Sequence, residues 1–471
     1  MPVLVGAAAV SQRVDDPEAA HEPIALMIEA CRAAADPAAL LDRTDLVAVP
    51  HGSWTYGNAA GLVAAAIGRP DARTVVADLG VLQTSVIAHA TNAIARGDVE
   101  VAVVTGGEAR WRAHRAAITG AGAPETSDAG APDHRLVPEG MIISAGEIAA
   151  GLVTAVSHYA LIENARRHRD QMSLDAHAMR VADRWASFNA VAQRNPQAWH
   201  RTPMTADEIR TPGPGNRALA FPYNKWHNSQ WNVDQAAALV LCSAATAAAC
   251  GVPQDRWVFP HAITESNVMV PVSARSGMTT SPGFAAAGAA AYKLAGKGPD
   301  QIEHSDLYSC FPAAVECQIE ELGLAGREVT VTGGMTFAGG PLNNYVLQAL
   351  VAMVDILRAN PSAAGLVTAV SGMITKQGVS IWGAHPPAAG YRFEDVVPPV
   401  PGREVVTHVA GAGTVATYTT FGTQSVVIAD RSDGLRAIAT SDDPDIAASM
   451  RTEEWCGLPV RLHASGGFDP A

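Results

Sequence analysis

Three stretches of the chain place reactive or polar side chains at turns, where a fold can bring them to a ligand. DLYSCF sets Tyr308, Ser309 and Cys310 at the end of a short apolar strand, just before Pro312 opens a helix. A thiolate or phenol so placed has the chemistry of a nucleophile, acid or base. The plainer reading is a packed tyrosine with its hydroxyl satisfied, beside a small buried thiol. TGGMTFAGGP makes a glycine-rich turn followed by Asn343 and Asn344, whose amides suit either helix-start backbone or a ligand. In the third stretch, TVVADLGVLQTSVIAHATNAIARGDVEVAVVTGGE, a strand over 74–77 meets a sharp turn at Gly80 and a helix over 82–96. Unpaired N–H groups at such a helix start lower a nucleophile's pKa or hold an anion, yet glycine stands there.

The elements that must position these residues follow from periodicity. Val86, Ile87, Ala90, Ala93 and Ile94 have helical spacing, and VEVAVV is a compact β-branched run ended by Gly106 and Gly107. The same order returns from Thr332: a glycine turn, Pro341 at the first helical position, a helix to Arg358, and a strand over 365–370. Two such units imply a duplicated α/β core. Upstream, strands over 3–10 and 46–49 alternate with helices, which predicts largely parallel sheets covered on both faces.

Five segments follow from these changes of character. Residues 1–109 form a first half, 110–231 an inserted loop or lid lobe, 232–383 a second half, 384–402 a proline-rich linker, and 403–471 an all-β barrel of five or six strands. The insertion carries Trp111, Trp185, Trp199, Trp226 and Trp231, enough apolar bulk to pack on the core. Its basic clusters, Arg110, Arg112, Arg115 and Arg166, Arg167, Arg169, read as solvated helix faces. Residues 377–382 read as an edge strand, and 443–454 as one short helix inside the barrel.

At 471 residues and 48% hydrophobic composition, the chain suits several well-buried globular units. The formal charge of -13 argues against a general nucleic-acid binder, and the acidic tail against single-strand binding by the barrel. Six scattered cysteines lack CxxC spacing, so neither a metal site nor a disulfide framework is expected. No run is long enough to span a membrane and the first residues lack a secretory pattern, so a cytoplasmic location is expected.

In order and spacing, the elbow ending in VEVAVVTGGE, then NSQWNVDQAAALVL, DLYSCF and TGGMTFAGGP with VTAVSGM resemble the thiolase superfamily. The likeness is to actinobacterial thiolase-like proteins of the sterol-carrier-thiolase branch, which add a C-terminal β-barrel. It implies an α/β fold of two similar halves in αβαβα layers. Thiolases pass an acyl group from coenzyme A to a cysteine and then condense or cleave it. Here the resemblance sets Gly80 at the nucleophile's place, Gly340 at the histidine's, Ser371 or Gly372 at the second cysteine's, and Tyr308 at the residue that steadies the thioester oxygen. It therefore implies no acetyl-CoA acetyltransferase activity, with CoA or acyl-CoA of lipid metabolism still bound, and Ser229 matching a pantetheine contact. Two alternatives stand beside it: a retro-aldol lyase or acyltransferase using Tyr308 or Cys310, and an interaction module docking a lipid-metabolism enzyme through the barrel. The family commonly forms homodimers; a monomer is the other expectation.

Overall fold

The computed structural model describes residues 1–35 and 38–471. The first sheet comprises β1 (Pro2–Gln12), β2 (Thr44–Pro50), β3 (Arg73–Ala77), β4 (Val101–Ala109), β5 (His134–Leu136) and β6 (Asp234–Ser243), in the order β1-β6-β4-β2-β3-β5. The second comprises β7 (Phe259–Asn267), β8 (His304–Asp306), β9 (Ala364–Ser371), β10 (Lys376–Gly383) and β11 (Arg392–Asp395), in the order β11-β7-β10-β9-β8. From β1 or β7 inward, each sheet pairs antiparallel, antiparallel, then parallel. The duplication read from the sequence is therefore real at the level of topology. Helices Gln83–Arg96 and Tyr345–Ala359 lie between the sheets, touching strands of both, and bury their apolar stripes there.

Several expectations need correction. Residues 377–382 lie in β10, the middle strand of its sheet and buried along its whole length. A strand hydrophobic on both faces reads as a plain run, so its central place is invisible to alternation. Within the proline-rich stretch, β11 pairs parallel with β7, so this segment extends the core sheet rather than only linking domains. The helix expected from Pro341 begins at Tyr345, because Leu342 takes a φ of 41° that no helix continues. The inserted segment is not only a lid: its β5 joins β3 in parallel and covers that edge of the first sheet.

The third sheet holds β12 (Val405–Val406), β13 (Gly411–Phe421), β14 (Gln424–Asp430), β15 (Arg436–Ser441), β16 (Pro459–Leu462) and β17 (Phe468–Pro470). Its ends approach each other, with the Thr440 N–H donating to Gly466 O at 3.0 Å, which curls the sheet into a barrel. The expected short helix is Pro444–Thr452.

This barrel is seated on helix Ala155–Arg169, whose residues from Ser157 through Arg167 are all buried. Arg166 and Arg167, read as solvated, are instead ion-paired inside, with Glu320 at 2.9 Å and Glu454 at 2.8 Å. A buried charge is tolerable only when paired in this way. Asn164 Nδ2 donates to Tyr418 O at 2.8 Å and Phe221 O at 3.1 Å, and Thr417 Oγ1 donates to Leu161 O at 2.5 Å. Replacing Asn164 by alanine takes the side-chain donor from the buried Tyr418 carbonyl and the acceptor from Arg167 Nη1, so urea unfolding is expected to show a loss of about 2–4 kcal/mol. An unchanged midpoint would show that the seam does not rely on that amide.

Candidate functional site

The elbow after β3 holds Gly80 at φ 102°, a conformation that a side chain resists. A Cβ placed there would stand 3.0 Å from Pro138 Cβ and 3.2 Å from Pro138 Cγ. A side chain at this position would thus crowd Pro138 of the inserted segment, which would have to give by a few tenths of an ångström. What the elbow presents instead is its carbonyl, which accepts from Ser371 Oγ at 3.0 Å and Lys376 Nζ at 2.9 Å. Gly80 and Ser371 are therefore neighbours, the Ser371 side chain meeting the Gly80 carbonyl. Gly372 O accepts from Tyr159 Oη at 3.1 Å. The helix begins at Gln83, so its first free N–H groups lie beyond the turn.

Gly340 is filled in the same manner. A Cβ there would meet Ser229 Cβ at 3.0 Å and Met335 Cε at 3.3 Å. Ser229 is already engaged, its N–H and Oγ both donating to Cys310 O at 3.3 Å. The neighbouring Gln230 takes Gly340 N–H at 2.8 Å and donates to Met335 O at 3.0 Å. Segment 229–230 is therefore laced across the second glycine turn.

Tyr308 and Cys310 sit behind that lacing, 8% and 9% exposed. The Tyr308 ring meets Tyr345 edge-on at 5.8 Å, and its backbone N–H donates to Thr368 Oγ1. Burial and the nearby Cys310 thiol raise its phenol well above the usual range, although Gln83 bonds to it. Burial likewise pushes the Cys310 thiol up to about 12, against a bond from Tyr159, so it stays protonated. Tyr345 points its hydroxyl to Asp306 at 2.7 Å and Thr332 at 2.7 Å, away from any role as a substitute acid. Asn344, 2% exposed, bonds no partner through its amide, and its Oδ1 would meet a Cβ at Gly106 at 2.8 Å.

A second feature assembles from distant segments. Arg13 lies over Trp199 at 5.2 Å and Trp111 at 5.8 Å, Arg110 over Trp231 at 4.1 Å, and Lys225 over Trp226 at 4.8 Å. His200 leans on Trp226 at 4.7 Å. Trp111 Nε1, His200 Nε2 and Arg110 Nε are buried and have no hydrogen-bond partner among the described residues. Arg112 takes no part, since it is buried and bonded to Pro17 O. The tryptophans of the insertion and its first arginine cluster were the only sequence signal for this face.

Behind the elbow, Glu265 accepts from Thr84 Oγ1 at 2.5 Å and Ser85 Oγ at 2.8 Å, and burial pushes its carboxyl from 4.5 up to about 7. A carboxyl raised on folding favours the folded state while protonated. Its contribution is full below about pH 4.5 and is lost as pH rises through about 7. Glu265→Gln is expected to remove that dependence and to raise stability above pH 7 by about 2–3 kcal/mol; matched unfolding curves at pH 5 and 8 for both proteins measure it.

No family model matches the chain. Among solved structures, the crystal structure of a monomeric SCP2-thiolase-like protein type 1 from Mycobacterium smegmatis is similar over 100% of this chain and 99% of that one, with a TM-score of 0.82 and 25% identity. An Ltp2–ChsH2(DUF35) aldolase is similar in fold over 82% of this chain and 98% of that chain, with a TM-score of 0.62 and 19% identity. The full-length correspondence takes in both halves, the insertion and the barrel, and so the fold of this chain is the thiolase-like fold of that SCP2-thiolase-like protein, with which it is similar from end to end.

Proposed function

We propose that this chain binds CoA or an acyl-CoA of lipid metabolism on the cation and indole face around Trp226, without condensing or cleaving the thioester as an acetyl-CoA acetyltransferase does. CoA offers an adenine ring, three phosphate groups and an amide-bearing arm. Indoles with cations over their faces suit the ring and the phosphates together. The single observation that carries this reading is the set Arg13, Arg110 and Lys225 over Trp199, Trp231 and Trp226, beside unpartnered Trp111 Nε1 and His200 Nε2. In a chain of net charge -13 such a face is a local exception. The same segment contains Ser229, so an arm laid along it runs toward Cys310 and the second glycine turn.

The lack of condensing chemistry rests on closure. At both Gly80 and Gly340 even a Cβ is crowded, by Pro138 at 3.0 Å and by Ser229 at 3.0 Å. Ser371 Oγ spends its proton on Gly80 O. For a retro-aldol lyase, Tyr308 and Cys310 are the remaining candidates, and burial holds both neutral. A single copy is the working unit in this proposal, because β5 covers the β3 edge that a second copy would need for sheet pairing. The barrel's own contribution is to seat the inserted lobe, since β13 packs on helix Ala155–Arg169.

Calorimetry with CoA tests the binding. Arg13→Ala and Lys225→Ala are each expected to weaken it about threefold to tenfold, and no heat at millimolar CoA in the unaltered protein would sink the proposal. Acetoacetyl-CoA with free CoA should show no turnover. The double variant Gly80→Cys with Gly340→His should stay equally inert, with Gly80→Cys alone costing about 1–3 kcal/mol of stability. Thiolysis by that variant would mean the site is merely stripped of its side chains.

A further inference from the structure

At the seam between helix Ala155–Arg169 and the barrel, His168, Glu454 and Cys456 bring three different metal-binding atoms within 4.8 Å of one another. The ion pairs of the seam account for its other charges. The Arg167 pair accounts for one oxygen of Glu454, but not for an imidazole and a thiol converging on the same carboxylate from two domains. We propose that these three side chains form an exchangeable site for a zinc-type divalent ion.

The carboxylate is already set for that role. Glu454 Oε1 accepts from Arg167 Nη2 at 2.8 Å and from Cys456 N–H at 2.9 Å. Those two bonds fix the group and leave Oε2 facing His168 Nδ1 at 3.8 Å. Metal-binding carboxylates are oriented by such outer bonds to the oxygen that does not bind. Gly457 has φ 85°, and a Cβ there would stand 3.4 Å from His168 Cε1, so the glycine leaves the ring free to turn. Ligands on a tetrahedral ion lie about 3.3–3.8 Å apart. The exposed imidazole therefore needs to swing only ~1 Å to complete the set.

Cys456 is 3% exposed, and its thiol makes a weak bond to Asn164 O at 3.8 Å and a bond to the Glu454 side chain. Burial and Glu454 keep that thiol protonated in the free protein, against the lowering effect of Arg167. On binding, the S–H bond breaks, the proton passes to solvent and the thiolate sulfur bonds the ion, so one proton is released per ion and binding tightens as pH rises. A sulfur, nitrogen and oxygen set selects zinc or a neighbouring transition ion over magnesium or calcium. Three protein ligands leave a fourth position on the solvent side of His168. With the Arg167 guanidinium close by, this describes a site that loads and unloads, not a structural ion whose loss unfolds the barrel.

The test uses cobalt(II) as a probe on the full chain, followed by zinc competition. The expected result is a thiolate-to-cobalt charge-transfer band with tetrahedral visible absorption, removed by zinc and absent in Cys456→Ser. Because Cys456 is buried, the exposed variant His168→Asn provides the second arm and is expected to weaken zinc binding at least tenfold with an unchanged fold by circular dichroism. Absence of the band in the unaltered protein, its persistence in Cys456→Ser, or unaltered zinc affinity in His168→Asn would each overturn the assignment.

Discussion

A single buried carboxylate organises the second half of the molecule. Asp306, at the end of β8, is fully buried without a cation. Its oxygens accept from Val331 N at 2.9 Å, Thr332 N at 3.0 Å, Thr332 Oγ1 at 2.9 Å, Thr330 Oγ1 at 3.1 Å and Tyr345 Oη at 2.7 Å. Burial raises its pKa while these donors oppose the rise. The result is a strand end, a glycine turn and a helix start tied to one point. Gly333 and Gly334, at φ 100° and 73°, then pass against Ala192 and Phe188 so closely that any Cβ would collide. Helix Leu174–Ala192 of the insertion is therefore pressed onto the turn, and Met335 is left with its N–H on Ser309 Oγ at 2.9 Å and its carbonyl on Gln230. The lacing over Gly340 begins at that carboxylate.

The two glycine turns that result are closely packed. Deleting a reactive side chain from a fixed backbone leaves a void, and each void costs stability in proportion to its volume. Here no such debt remains at the two glycines, because Pro138 occupies the space beside one and Ser229 with Met335 the space beside the other. The backbone has followed: Gly80 lies in a left-handed region where a cysteine would be strained. Among the described residues, the buried polar groups without a hydrogen-bond partner include Trp111 Nε1 and His200 Nε2 and, just after the second glycine turn, the amides of Asn343 and Asn344.

What the sequence revealed and what it hid divide along the range of the interactions. The duplicated units were legible because helical spacing at Val86, Ile87 and Ala90 and the β-branched run before Gly106 are local patterns. The glycines at 80 and 340 were legible as missing side chains, yet not as filled space, since Pro138 and Ser229 arrive from remote segments. Pro341 misled because a favourable first helical residue is a weak local preference, overridden here by the tied turn and the φ of Leu342. The central place of β10 and the pairing of β11 are decided by partners, not by composition. Arg13 could not be joined to Trp199 by any pattern, as nothing in the intervening chain signals their contact.

Helix Ala155–Arg169 shows why charge alone does not mark a surface. Its polar and basic residues follow the pattern of a solvated helix, yet the buried ones have counterparts in place: Glu147 beside His158 at 3.8 Å and His177 beside Glu163 at 2.8 Å inside, and the more exposed Glu320 for Arg166 and Glu454 for Arg167. These pairs contribute little net stability over apolar packing, but removing one partner strands a buried charge, so they specify the fit between lobes. The route they open runs inward. Phe221 N–H donates to Thr420 O and Thr419 Oγ1 to Phe221 O, which holds the 221–223 loop on β13. Tyr223 Oη then donates to Glu163 at 2.6 Å and accepts from Ala313 N–H at 3.3 Å, at the first turn of helix Pro312–Glu321 directly after Cys310 and Phe311. The barrel is thereby connected, bond by bond, to the strand end that carries Tyr308 and Cys310, and a barrel so attached is part of the packing of the core rather than an appended module.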